Sequence, residues 1–323
     1  MRRLQALPAV VIAIASVASG CGSSSPSASL VRVHSGLLVD QPFAAPESPA
    51  MLRKDYDLGG SAPTAHAYVR VGADGLRVGV IRHAPGVFEG YFAVTRNAYP
   101  AGAVFHVRMW RESLKTVSTS QTGEAVFAVQ TGNTKQTGLI NYVLVASVRN
   151  GEFVHWELGY AAGHLDNAKT TVVWSGSPGT SSNIPLGEDI TLSTDGYHSY
   201  SVYLGNRLVY SSQHLNMNIQ APFQAYLEVQ GLQIAFESRF QDFWVTGSDT
   251  VQVTGLPSGA QVSLAPSSGA AVKATADSSG VARLTLPLPE ARGTGRFTIT
   301  GSGPTRTFAG IAYAGGDQFR LAS

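Results

Sequence analysis

From residue 31 onward the chain never keeps a helical hydrophobic period over three turns, whereas apolar and polar residues alternate in short runs that stop at Gly, Asn, Asp or Pro. Period-two alternation puts successive side chains on opposite faces of a strand, so each run has one face to bury and one to wet. Eleven such runs precede residue 248, at 67–71, 75–81, 90–95, 104–110, 125–130, 139–148, 153–160, 170–174, 200–204, 225–229 and 240–245. That many half-buried strands need two antiparallel sheets packed face to face. Asn150-Gly151 and Gly205-Asn206 fit two-residue hairpin turns, and Asp74-Gly75 and Asp195-Gly196 mark two more reversals. The 35 glycines suit a turn-rich, all-β chain.

After residue 247 the aromatic content falls and the runs shorten, at 251–253, 262–264, 272–276, 284–288, 297–299 and 308–312. This spacing predicts a small immunoglobulin-like β-sandwich over 248–323, without the Cys and Trp that pin antibody domains.

The N-terminus has a different logic. Arg2 and Arg3 precede an apolar stretch over 7–17, then Ala18, Ser19 and Gly20 lead to Cys21, as in an export signal. The apolar stretch falls short of the about 20 residues a bilayer-spanning helix needs. Ala18-Ser19-Gly20-Cys21 resembles the bacterial lipobox, although Ala18 stands where that family more often has Leu. The resemblance implies a signal peptide over 1–21, a lipid on Cys21 and an exported, membrane-anchored lipoprotein, since two acyl chains anchor where one exchanges. The alternative is an ordinary secretory leader with an incidental cysteine. Cys21 is the only cysteine, which excludes an intramolecular disulfide. Residues 22–30, rich in Ser, Pro, Gly and Ala, read as a flexible tether. A formal net charge of +2 with 14% charged residues gives no basic stripe for nucleic acid.

The most informative stretch is 194–210, Thr-Asp-Gly-Tyr-His-Ser-Tyr-Ser-Val-Tyr-Leu-Gly-Asn-Arg-Leu-Val-Tyr. It resembles the strand-turn-strand of concanavalin A-like lectins, glucanases and laminin G-like domains. Phe240-Gln241-Asp242-Phe243-Trp244-Val245 is similar to their closing strand, and Asp74-Gly75-Leu76-Arg77-Val78 to an early one. The resemblance implies one two-sheet antiparallel jelly roll over 31–247, with a concave face that binds sugars in lectins and hydrolyses glycans in glucanases. Fold alone does not choose between those activities.

Alternation sorts candidate ligand groups by face. Phe105, Val107 and Met109 read as core, leaving His106, Arg108 and Trp110 outward. Trp156, Leu158 and Tyr160 read as core opposite His155 and Glu157, and Ala225, Leu227 and Val229 opposite Tyr226 and Glu228. Tyr203 opposes Tyr200, Val202 and Leu204. If these faces share a sheet, His106, Arg108, Trp110, His155, Glu157, Tyr203, Tyr226 and Glu228 converge on a carbohydrate or cell-surface glycan, with rings covering a pyranose and polar groups taking its hydroxyls. Trp110 is the foremost of them; the bland alternative is that they are solvated faces of scattered strands.

A glycosidase needs two carboxylates about 5–9.5 Å apart. The related glucanases carry theirs as Glu-x-Asp-x-x-Glu on one strand, a run absent here. Glu157 and Glu228 pair only if their strands are neighbours, while His106, Arg108, Tyr203 and Tyr226 have the residue types of a lyase without its spacing. No cofactor is expected; Asp166 and Asn167 are a weak calcium candidate, and the dispersed His residues lack zinc spacing. Three readings stay open: a non-catalytic glycan binder, a polysaccharide-degrading enzyme on the same face, and a protein-binding envelope scaffold.

Overall fold

The computed structural model describes residues 28–43, 51–57, 67–72, 74–80, 88–113, 122–131, 139–150, 153–164, 169–176, 187–232, 236–301 and 303–322. Its strands are β1 (Ser29–His34), β2 (Leu37–Gln41), β3 (Met51–Asp57), β4 (Ala67–Gly72), β5 (Gly75–Val80), β6 (Phe88–Thr95), β7 (Val104–Ser113), β8 (Thr122–Thr131), β9 (Leu139–Asn150), β10 (Phe153–His164), β11 (Lys169–Gly176), β12 (Glu188–Thr194), β13 (Tyr200–Leu204), β14 (Arg207–Ser212), β15 (Phe223–Leu232) and β16 (Phe236–Thr246). The smaller unit adds β17 (Thr250–Thr254), β18 (Gln261–Pro266), β19 (Val272–Thr275), β20 (Ala282–Thr285), β21 (Arg292–Thr300), β22 (Arg306–Ala314) and β23 (Gln318–Ala322).

The large unit is a jelly-roll sandwich. A seven-stranded sheet runs β11-β10-β9-β8-β15-β6-β3, and an eight-stranded sheet runs β14-β13-β12-β7-β16-β5-β4 with β2 added along β16. Their facing surfaces share one core. Phe105, Val107, Ile190, Tyr200 and Phe240 come from the eight-stranded sheet, and Phe127, Val145, Trp156, Leu158 and Leu227 from the seven-stranded one. The Tyr200 hydroxyl crosses between the sheets to donate to the Leu144 carbonyl at 2.6 Å. Each run read before residue 248 overlaps an observed strand, and β14 is the second arm of the hairpin read over 194–210, while β2, β3 and β12 carry no run. The stretch 31–64, poor in periodicity, supplies two of these, as edge strands on β16 and β6.

One irregularity shapes the outer surface. β16 carries a bulge between Gln241 and Trp244, with Asp242 at φ 47. The extra residue lets Phe240, Phe243 and Val245 all reach the core, leaving Gln241 and Trp244 on the other side.

The small unit packs the sheet β1-β23-β17-β20 against β19-β18-β21-β22 around Val253, Val262, Leu264, Leu284, Phe297 and Phe319. Two expectations change here. Residues 29–34 are neither tether nor jelly roll: they pair antiparallel with the last strand, Ser29 opposite Ala322, because the open edge of β23 offers a backbone ladder. The run 284–288 is not one strand; β20 stops at Thr285, and the prolines around Leu288 impose a 3-10 turn, Leu288–Glu290.

The chain therefore crosses between the units twice, near Gly36 and Gly247, and the crossings are tied together. Gly247 N donates to Gly36 O at 2.8 Å, and Gly36 N donates to Asp317 Oδ1 at 2.7 Å. A Cβ at Gly36 would lie 2.2 Å from Gly315 O, so only glycine fits. Asp317, fully buried, also accepts from Ala314 N at 2.8 Å and pairs with Arg32 at 3.0 Å. Val104 and Trp244 of the large unit pack against Leu288 and Ala291 of the small one, with Tyr203 beside them.

Candidate functional site

On the outer face of the seven-stranded sheet, strand register lays side chains in rows. One row runs Glu157, Ala146, Val126, Glu228, Phe92, and the next runs His155, Val148, Glu124, Gln230. The middle of this face is an apolar cluster including Phe92, Val126, Ala146, Val148 and Tyr226. The Phe92 and Tyr226 rings meet at 5.0 Å and 57°. These apolar side chains are all buried, and three carboxylates and a histidine interrupt the layer they form. His155 Nε2 lies 2.8 Å from Glu157 Oε1. Glu228 is buried at 3% exposure. Burial pushes the Glu124 carboxyl up to about 7, and the nearby Glu157 charge adds to the effect.

The sandwich separates what the sequence reading put together. His155, Glu157, Tyr226 and Glu228 share this face, but His106, Arg108, Trp110 and Tyr203 lie on β7 and β13 of the opposite sheet, facing away across the shared core. The eight do not converge, because alternation assigns a residue to a side of its strand but not to a sheet. Glu157 and Glu228 are also not on neighbouring strands: β9 and β8 intervene, three strand spacings or about 14 Å. Glu124 stands between them and was missed. The sequence run was read from residue 125, and Val126 and Ala128, which follow Glu124 on the outward phase, are apolar and buried, so nothing in the run marks the carboxyl beside them.

Trp110 is not an open platform. Its indole carries the Arg239 guanidinium 4.4 Å from the ring centroid and donates from Nε1 to Gln241 Oε1 at 2.8 Å. A Cβ on Gly187 would come within 2.5 Å of the ring. Arg239 continues into an ion network, bonding Asp74 Oδ2 at 3.0 Å, while Arg77 bonds both Asp74 and Glu237. These arginine contacts hold the Asp74 carboxyl well below the usual carboxylate range, chiefly through Arg77. Arg108 grips Asp189 in a two-pronged pair at 2.8 and 2.6 Å, and Tyr203 belongs to the contact with the small unit.

Cys21 with the leader, and Asp166 and Asn167, lie outside the described residues. Among the described residues no group of three or more His, Cys, Asp or Glu side chains is placed to hold a metal ion.

No protein-family model matches the sequence, and no curated protein matches it. Among solved structures the chain is similar to the β-glucanase of Bacillus licheniformis, at 12% identity over 65% of this chain and 98% of that one, TM-score 0.43. It is also similar to β-agarase A from Zobellia galactanivorans, at 9% identity over 68% and 92%, TM-score 0.46. A Bacillus subtilis protein with a galectin-like fold shares 10% identity over 67% of this chain and 98% of that one, TM-score 0.40. At these identities no residue correspondence follows.

Proposed function

We propose that the chain recognises carbohydrate on the outer face of its seven-stranded sheet. The observation that carries this reading is the pair of adjacent rows that sets Glu157 and Glu228 in one and His155 and Glu124 in the next, with the buried Phe92–Tyr226 ring pair beside Glu228. A pyranose carries a belt of hydroxyls, each both donor and acceptor, and rows of carboxylates and an imidazole offer partners for both roles. A glycan-array screen of the purified protein beside Glu157→Gln and Phe92→Ala tests it. Binding that both substitutions weaken supports the assignment; binding that both leave untouched moves the ligand elsewhere.

A second reading, glycan hydrolysis on the same face, is favoured by one observation: a Glu124 carboxyl raised to about 7 keeps a proton to donate near neutral pH. Glu228 is its diagonal neighbour across β8 and β15, for which α-carbons are about 7–8 Å apart, a spacing from which carboxyls reach the about 5–9.5 Å a glycosidase uses. In this reading Glu124 protonates the leaving glycosidic oxygen and Glu228 acts as base or nucleophile. New reducing ends on a bound polysaccharide, abolished in Glu124→Gln, would establish it.

The same proposal places the protein at the cell envelope, held by a lipid on Cys21, with the small sandwich between anchor and recognition face. The lipobox-like Ala18-Ser19-Gly20-Cys21 supports it. Detergent-phase partitioning that is lost in Cys21→Ser is the expected result.

A further inference from the structure

A crevice of about 390 Å³ opens on the far side of the molecule, where the small sandwich meets the outer face of the eight-stranded sheet. Its floor is the His106 imidazole stacked on the Trp244 indole, 4.7 Å between centroids and 8° from parallel. His106 is fixed in place: Nδ1 lies 2.9 Å from Thr191 Oγ1, and Nε2 sits between two carboxylates, 3.6 Å from Asp242 Oδ2 and 3.7 Å from Asp189 Oδ1. The opposite wall comes from the small unit. Arg292 pairs with Asp40 at 2.7 Å and stops 3.8 Å from Asp242 Oδ1.

Asp242 is the odd member of this set. Its side chain is 54% exposed, it lies within ionic reach of His106 and Arg292, and neither contact is as short as a hydrogen bond. The bulge holds it in left-handed backbone, which Asp and Asn enter more readily than other non-glycine residues. The walls alternate cationic donors, Arg108 and Arg292, with anionic acceptors, Asp189 and Asp242, and Asn206 supplies both roles at the rim. An anion entering here meets two carboxylates and a cation meets two guanidinium groups. A neutral polyol, whose hydroxyls donate and accept in turn, satisfies both without an uncompensated charge.

We propose that this crevice is a second saccharide site, selective for neutral mono- or disaccharides and complete only when the two units are docked, because Arg292 supplies one of its walls. It shares no residue with the opposite face and does not depend on that face binding anything. The volume falls at the lower end of the about 300–1,000 Å³ of small-molecule sites.

The test follows the Trp244 indole N–H by two-dimensional NMR in the full chain while cellobiose, lactose or N,N′-diacetylchitobiose is added, with galacturonate and glucosamine as charged comparisons. Asn206→Trp plugs the rim from an exposed turn without touching the core. Asp242→Asn removes the charge but keeps a residue that tolerates left-handed backbone. At least one neutral disaccharide should shift the Trp244 signal in the parent and in Glu228→Gln. Asp242→Asn should weaken that binding about tenfold, the loss of one hydrogen bond to a charged group, and Asn206→Trp should abolish it. The assignment is overturned if no neutral sugar shifts Trp244, if only a charged sugar does, or if the shift survives the plug. It is equally overturned if Glu228→Gln removes the response, which would assign the sugar to the opposite face.

Discussion

Replacing Glu124 with Gln isolates the ionisation of one carboxyl at nearly constant shape. In the folded chain burial, aided by Glu157, lifts that carboxyl from an ordinary 4.5 to about 7. Below about pH 4.5 the group is neutral in both folded and unfolded chains, and its ionisation contributes nothing. Between about 4.5 and 7 the unfolded chain releases the proton while the folded one retains it, so stability falls by about 1.4 kcal/mol per pH unit. Over the about 2.5 pH units concerned this is about 3.5 kcal/mol, fully expressed above pH 7. Glu124→Gln should therefore unfold like the parent near pH 4 and be about 3.5 kcal/mol more stable near pH 8. Urea unfolding followed by tryptophan fluorescence reports the jelly roll selectively, since residues 248–323 contain no Trp. Glu157→Gln should retain most of the pH dependence, because burial is the larger cause. If Glu124→Gln loses stability with rising pH as steeply as the parent, burial does not raise that carboxyl and the hydrolysis reading of that face loses its acid.

Other perturbations probe the frame. Asp317→Ala strands two backbone N–H donors and Arg32, and should cost about 3–5 kcal/mol; calorimetry should then resolve separate transitions for the two units. Tyr200→Phe removes the hydroxyl donated across the core to Leu144 and should cost about 1 kcal/mol in urea midpoint without changing the fold's circular dichroism. Asp195 Oδ1 accepts from the N–H groups of Tyr197, His198 and Ser199 at 2.8–2.9 Å. Burial works to raise its pKa, but those donors prevail and lower it. Asp195→Ala should cost about 2 kcal/mol at neutral pH, and the difference from the parent should shrink as the pH drops through the carboxyl's own lowered pKa.

How much of this was legible in the sequence follows from what alternation encodes. It gave the inward residues Phe105, Val107, Leu158 and Leu227 because burial on a strand has period two. It missed β12, whose alternation is carried by only two apolar residues, Ile190 and Leu192. Partnership between strands is not a local property: nothing in Glu157 or Glu228 states that β8 and β9 lie between them. The role of Asp242 was equally hidden, since one inserted residue in β16 reverses the facing of everything after it, and a bulge has no residue signature of its own. Arg292 became visible only once the small unit docked.

The pairing of Ser29 with Ala322 has a consequence for how the molecule is made. Among the described strands β1 is made long before its hydrogen-bond partner β23, so it waits through synthesis of the whole jelly roll with its ladder open. Val31 and Val33 stay 46% and 56% exposed even afterwards. Contacts this distant in sequence form late and slowly, and an unpaired apolar strand is an aggregation hazard while it waits. Until β23 emerges the small unit cannot close, and neither can the crevice that Arg292 helps to wall.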